Sequence, residues 1–289
     1  MEAEAYGKIP GNLCKPFKGK TIVIKYGGSV TKDIAADAFT EDIAVLHKIG
    51  ARIVVVHGGG PDINNMLFRL DIKSEFVRGL RVTEAAAMEI VEMVLSGRVN
   101  KELTSKLLDK GIDAVGISGR DGRLIEAKKM YLYEDDRKID IGFVGAITAV
   151  NIKIVSDLLN MGYVVVISPV AGDREGNVYN INADYAAASV GISLNADRLV
   201  YLSDVNGLYG DINDRDSLIK TITAAEIEEL IRNGKISGGM IPKMMCCTEA
   251  IKKGVKSVCL IDGRKAHALL ELMGGKSTGT IIKGGEKYA

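Results

Sequence analysis

The sequence has no tryptophan, and aromatic residues fill only 5% of its 289 positions. Its core must therefore be aliphatic, which a hydrophobic content of 47% can supply. An excess of one charge sign is also missing: 38 Lys and Arg against 37 Asp and Glu leave a net +1. A nucleic-acid or membrane-surface partner would call for a basic excess, so neither is expected. No apolar run approaches the roughly 18 residues of a membrane span. The acidic, polar N-terminus is unlike a signal peptide. Cys14, Cys246, Cys247 and Cys259 form no C-x-x-C pair, so free thiols in a reducing, cytoplasmic setting are expected. The three histidines are scattered, and no Ser-His-Asp spacing or metal-ligand pair emerges from them.

What is present is alternation. Short β-branched runs such as "TIVIKY", "RIVVVH", "YVVVIS", "RLVYLSD" and "SVCLID" are separated by amphipathic helical segments. In one of these segments Phe39, Ile43, Leu46 and Ile49 share a face. Strands apolar on both faces, with helices between them, predict an α/β protein: a three-layer αβα sandwich around a mainly parallel open sheet. Pro61 opens one helix, Thr83 is placed to cap a long one that bends near Gly97, and Asn182 is placed to cap another. Residues 119–150 read differently, as hairpin strands around the polar stretch "YEDDRK".

In open α/β sheets, ligands collect beyond the carboxyl ends of the strands. Two such ends carry glycine clusters, Gly27–Gly28 after Lys25 and Gly58–Gly59–Gly60 after His57. Adjacent glycines let main-chain N–H groups converge on an anion without Cβ atoms in the way. Neither common nucleotide fingerprint is met. Ile63 occupies the last glycine position of G-x-G-x-x-G, and Leu270 the first glycine position of a P-loop read through "GGKST". His57 reads as a residue satisfying backbone groups rather than a ligand contact. "YNINAD" places Asn180, Asn182 and Asp184 around a helix start, more polar groups than one cap uses. Lys243 in "GGMIPKM" sits in a helical first turn, where a cation opposes the helix dipole unless an anion is near. It could instead extend into solvent. Together the pieces suit phosphoryl transfer, which asks for positioning and cations around the moving group. Lys25 and Lys243 could stabilise that charge from opposite sides, with Asp184 holding both ammonium groups.

"IKYGGS", "VVVHGGGP", "GLRVT", "VLSGRVNK", "AVGISGRDG", "GFVG", "YNINAD", "GGMIPK" and "IDGR" resemble, in order, the motifs of the amino-acid kinase family, in its acetylglutamate kinase branch. The similarity runs from about Lys20 to Lys283. It implies ATP-dependent phosphorylation of the γ-carboxylate of N-acetyl-L-glutamate, with Mg2+ carried by the nucleotide and no protein metal site. By motif, Lys25 and Lys243 match the transition-state lysines and Asp184 the aspartate that organises them. Gly59, Gly60, Arg81 and Asn180 match substrate-binding residues. Gly27, Gly28, Ser203, Asp204, Val205, Asn206, Gly207, Leu208, Lys235, Ile236 and Ser237 fall where the family holds the nucleotide. The resemblance divides the chain into an N-terminal extension (1–19), an acceptor-binding and dimerising lobe (20–178) and an ATP-binding lobe (179–289). Gly7, Pro10, Gly11 and Pro16 interrupt the N-terminal helix with which some members form hexamers. A homodimer is therefore expected.

Two other readings compete. One is a kinase of the same fold acting on aspartate, unacetylated glutamate or an aminoadipate derivative. The other is a sensor that binds nucleotide or amino acid without catalysis, for which both lysines would be superfluous.

Overall fold

A computed structural model describes residues 15–27, 34–135, 137–211, 213–276 and 278–284. Gly28 and most of the N-terminal extension lie outside the described residues. The chain runs β1 (Thr21–Tyr26), α1 (Ile34–Lys48), β2 (Arg52–His57), α2 (Gly60–Arg69), β3 (Phe76–Val77), β4 (Leu80–Arg81), α3 (Ala85–Glu92). After a π-helical segment, Met93–Val99, come α4 (Asn100–Asp109), β5 (Ala114–Ser118), β6 (Ile125–Glu134), β7 (Arg137–Val150), α5 (Lys153–Asn160), β8 (Val164–Ser168), β9 (Val170–Gly172) and β10 (Val178–Asn180). The remainder is α6 (Ala183–Ser193), β11 (Arg198–Ser203), β12 (Thr221–Thr223), α7 (Ala224–Arg232), α8 (Met240–Lys252), β13 (Ser257–Asp262), α9 (Ala268–Met273) and β14 (Thr280–Lys283).

Eight strands form one sheet in the order β12-β14-β13-β11-β1-β2-β8-β5. Every pairing in it is parallel except β13 with β14. Alternate residues of the central strands feed opposite aliphatic clusters, as a period of two dictates. Val23, Val54, Val56, Leu199 and Tyr201 join α6 and α8 on one face. Ile22, Ile24, Ile53, Val55 and Val200 join α1, α4 and α9 on the other. This is the expected three-layer sandwich. It puts Lys25, two residues beyond Val23, on the face covered by α6 and α8. The second sheet is a small closed barrel, β10-β7-β6-β9.

Two local expectations change. Strand does not extend back through "GRDGR", because Asp121 Oδ2 accepts from Ser118 N at 2.6 Å and Ser118 Oγ at 2.8 Å and folds the segment into a turn. Gly122 and Arg123 follow with φ of 59° and 51°, so β6 starts at Ile125. Conversely, most of "YEDDRK" is strand, since β6 reaches Glu134 and β7 resumes at Arg137. At Gly97, where the sequence suggests a bend, the long helix passes through a π-helical segment, and Ser96 Oγ lies 2.8 Å from Ser168 Oγ at the end of β8.

Among the described residues, no helix is long and apolar enough to cross a membrane. Cys246, Cys247 and Cys259 are free, buried thiols.

Candidate active site

Lys25 and Lys243 meet on one carboxylate. Lys243 Nζ donates to Asp184 Oδ2 at 2.7 Å, and Lys25 Nζ stands 3.1 Å from Oδ1 as an ion pair off the hydrogen-bonding direction. All three side chains are less than one-fifth exposed. Burial alone would favour a neutral Asp184, yet the two ammonium groups outweigh it and hold the carboxyl below its ordinary range. Each member comes from a different element. Lys25 is the penultimate residue of β1, Lys243 lies in the first turn of α8, and Asp184 is the second residue of α6. Asn182 caps α6 as expected, its Oδ1 accepting from Asp184 N at 2.8 Å. Tyr201, opposite Lys25 in the β1–β11 register, completes the support. Its hydroxyl donates to the Asp184 carbonyl at 3.2 Å, and Lys243 Nζ lies 5.6 Å from its ring centroid. Burial raises the Tyr201 phenol well above its usual pKa, so it stays a donor.

A second cluster gathers Gly59, Gly60, Arg81 and Asn180. Gly59 is extended, and a Cβ there would lie 2.5 Å from Leu95 of the π segment. A Cβ on Gly60 would meet nothing within 4 Å, so that face of the α2 start is open, and α2 has no side-chain cap. Unclaimed N–H groups at a helix start suit an anion. Arg81 is buried, with its guanidinium donating to Ser74 Oγ and, at 3.3 Å, to the Gly60 carbonyl. It stacks 4.6 Å above the Phe76 ring. Among the described residues no carboxylate pairs with it. Burial lowers its pKa, but a guanidinium keeps its charge. A buried, charged fork facing only neutral groups suits a bidentate carboxylate. Asn180 Nδ2 donates to Thr83 Oγ1 at 3.2 Å, and Thr83 Oγ1 donates to the Arg81 carbonyl at 2.9 Å, which links these residues.

The nucleotide candidates occupy loops beyond β11 and before α8. Ser203 ends β11, and its carbonyl accepts from Gly263 N at 2.8 Å. Asp204, Lys235 and Ser237 are exposed, with Val205 and Asn206 half-buried. Gly207 has φ +153°, and a Cβ there would press on Thr280 Oγ1 at 2.6 Å. Asn206 Oδ1 is a buried acceptor without a partner, while its Nδ2 donates to the Tyr209 hydroxyl at 3.1 Å. Leu208 and Ile236 pack into the core. Both main-chain groups of Leu208 are engaged, by Thr280 Oγ1 and Ile219 N, so it supports the loop. Gly27 is buried at the end of β1, and Gly28 lies outside the described residues. Among the described residues, no group of three His, Cys, Asp or Glu could hold a metal ion.

His57 satisfies backbone groups, as its sequence context suggested. Nδ1 donates to the Gly58 carbonyl at 2.9 Å, and Nε2 accepts from Asn100 Nδ2 at 3.2 Å. Asn100 also reaches the carbonyls of Ile117 and Val166, pinning α4 to β5 and β8. Burial, with Lys101 nearby, pushes the imidazole pKa down to about 4. The folded protein therefore keeps His57 neutral, whereas the unfolded chain takes up a proton near pH 6.5. Stability should fall as pH drops from about 6.5 to 4, by about 3 kcal/mol from this residue. Asp42, raised to about 6 by burial against the pull of His267, slopes the opposite way. The check is therefore a difference: in denaturant titrations, the stability of His57→Gln relative to the parent should rise, by up to about 3 kcal/mol, as pH falls from about 6.5 to 4. Parallel profiles would contradict the assignment.

Reading the sequence missed Thr83 and Tyr201 as parts of the site. A Thr before a helix looks like a cap, and Tyr201 looks like any strand residue.

The amino acid kinase family model matches residues 20–262. An acetylglutamate kinase of Clostridium acetobutylicum is 50% identical over 255 residues, covering 88% of this chain and 86% of the relative. One of Thermoanaerobacter pseudethanolicus is 47% identical, covering 93% and 89%. Among solved structures, an N-acetylglutamate synthase of Neisseria gonorrhoeae, in complex with coenzyme A and N-acetyl-glutamate, superposes with a TM-score of 0.83. At 22% identity that likeness speaks for the fold alone, and it covers 99% of this chain but only 64% of the synthase. A continuous match to the family model, on a sheet that brings both motif lysines to one aspartate, settles the affiliation: the chain belongs to the amino acid kinase family.

Proposed function

We propose that this protein is an acetylglutamate kinase, transferring the γ-phosphoryl group of ATP to the γ-carboxylate of N-acetyl-L-glutamate in the second step of arginine biosynthesis. The convergence of Lys25 and Lys243 on Asp184 carries the reading. One carboxylate oxygen of the acceptor attacks the γ-phosphorus, the bond to the β,γ-bridging oxygen breaks, and ADP leaves with that oxygen. No general base is needed, because a carboxylate is already ionised near neutrality. Charge spreads over the equatorial oxygens of the moving group. Lys25 and Lys243, anchored by Asp184, supply fixed cations for it without reorganisation.

In this reading Arg81 binds the α-carboxylate, Asn180 shares it, and the open start of α2 at Gly59 and Gly60 orients the acceptor. ATP lies along Ser203–Gly207 and Lys235–Ser237, with Mg2+ carried on its phosphates. The orphaned Asn206 Oδ1 and the uncapped start of α8 fit a nucleotide at this end of the sheet. The acceptor lobe is then residues 20–178 and the nucleotide lobe 179–289.

Incubation with Mg-ATP, N-acetyl-L-glutamate and hydroxylamine should yield the hydroxamate, since hydroxylamine traps an acyl phosphate. Arg81→Ala should raise the apparent KM for the acceptor by about tenfold or more, with a smaller effect on ATP, because a charge-assisted fork is lost. Hydroxamate from aspartate or unacetylated glutamate in place of N-acetylglutamate would move the protein to another acceptor within the family. ATP binding without any hydroxamate would favour the sensor.

A further inference from the structure

We propose that Thr83 is a positioning residue for the acceptor, a hydroxyl relay that fixes Arg81 and Asn180 relative to each other. The inference rests on the acceptor-site reading above and adds a residue to it.

The sequence places Thr83 as the cap of α3, but its side chain makes no capping bond. Glu84 is the residue that precedes the helix, and it too offers no side-chain cap. The Thr83 hydroxyl is fully buried and used in both directions. It donates to the Arg81 carbonyl at 2.9 Å and accepts from Asn180 Nδ2 at 3.2 Å. A carbonyl oxygen can only accept, so the single hydroxyl hydrogen is committed to Arg81. Only lone pairs then face Asn180, and its amide must turn an N–H toward Thr83. Asn180 Oδ1 and the remaining N–H are thereby left for the acceptor in one fixed orientation.

The backbone of Thr83 is held as firmly. Its N–H donates to Ile141 O at 3.0 Å, and its carbonyl accepts from Phe143 N at 2.6 Å. Gly142 lies between, at φ +76°, and a Cβ there would sit 2.1 Å from the Thr83 carbonyl oxygen. Gly145 likewise admits β10, since a Cβ would come within 2.7 Å of both Tyr179 and Ile181. The "GFVG" segment thus lets β7 approach Thr83 on one side and the Asn180 strand on the other. Two acceptor-binding residues 99 positions apart in sequence are joined through one oxygen atom.

Thr83→Val removes the hydroxyl with little change of volume and leaves the main-chain bonds in place. It strands the Arg81 carbonyl and an Asn180 N–H. The expected result is an acceptor KM raised about tenfold, with kcat and the KM for ATP within about threefold of the parent. Thr83→Ser, which restores the relay, should return the acceptor KM to within about threefold. A general packing defect would not divide the two substrates in this way, nor be rescued by the smaller serine. If Thr83→Val does not fold, Thr83→Cys takes its place with the same expectation, a thiol being a weak donor. The kinetics use whichever carboxylate gives hydroxamate with the parent. A change of acceptor therefore overturns the N-acetylglutamate reading and leaves this test intact. An unchanged acceptor KM in the variant of an active parent, or failure of Thr83→Ser to rescue, overturns the role of Thr83. A parent that phosphorylates no carboxylate overturns both.

Discussion

Lys243→Ala should lower turnover by a hundredfold or more while ATP still binds. Removing one fixed donor or cation from developing transition-state charge costs about 3 kcal/mol of barrier. The ammonium in question is held at 2.7 Å from Asp184 and is mostly shielded from water, so little solvent screening weakens it. Its location sharpens the prediction. Lys243 stands in the first turn of α8, whose N-terminus is electropositive and uncapped by any side chain. Two opposing stability terms change on truncation: the ion pair with Asp184 is lost, and the repulsion from the helix dipole is relieved. The fold should therefore tolerate the change far better than catalysis does. The measurement is kcat together with nucleotide affinity by calorimetry and the unfolding midpoint. Turnover near that of the parent would remove Lys243 from the mechanism. Loss of ATP binding would move it to substrate binding, and a collapsed midpoint would make it structural.

The meeting of Lys25 and Lys243 on Asp184 was legible in the sequence because each of the three sits at a strand end or helix start in a pattern that asks for a charged partner. A lysine running into glycines, a lysine against its helix dipole and an excess of polar groups at a helix start each marked a local cost that a ligand or partner could offset. The αβα layers were legible because strands apolar on both faces leave few alternatives. The strand order was not. Placing β11 beside β1, which sets Tyr201 opposite Lys25, depends on pairing across more than 170 residues, and no local pattern encodes it. Thr83 was misread for the same reason. The local signal, a threonine ahead of a helix, was sound, but Asn180 lies 97 residues away and the bond between them wins. Leu208 and Ile236 fell in segments with a nucleotide-site pattern, yet their side chains serve the core. Contiguity in sequence does not say which residues of a loop face outward.

Asp184→Asn should damage both turnover and stability, and its stability effect should vanish in acid. At neutral pH the carboxylate is the common counter-charge of Lys25 and Lys243. Removing one partner of a buried ion pair typically costs about 3–5 kcal/mol, because charge is left without compensation. Here two ammonium groups would be left facing each other, with only an amide dipole between them. A loss of about 3 kcal/mol is a large share of the ~5–15 kcal/mol by which a typical domain is stable. Turnover should fall at least as far as in Lys243→Ala, since both cations lose their anchor. The pH dependence follows from the depressed carboxyl pKa. A group ionised more readily in the folded state contributes its full stability above the unfolded value, near 4, and loses it as pH falls through the lower folded value. Parent and variant should therefore differ most in denaturation titrations near pH 7 and converge toward pH 3 and below. A constant difference across that range would mean that Asp184 acts through shape rather than charge. A variant as stable as the parent at pH 7 would mean that the two lysines do not depend on it, and the proposed clamp around the migrating phosphoryl group would lose its anchor.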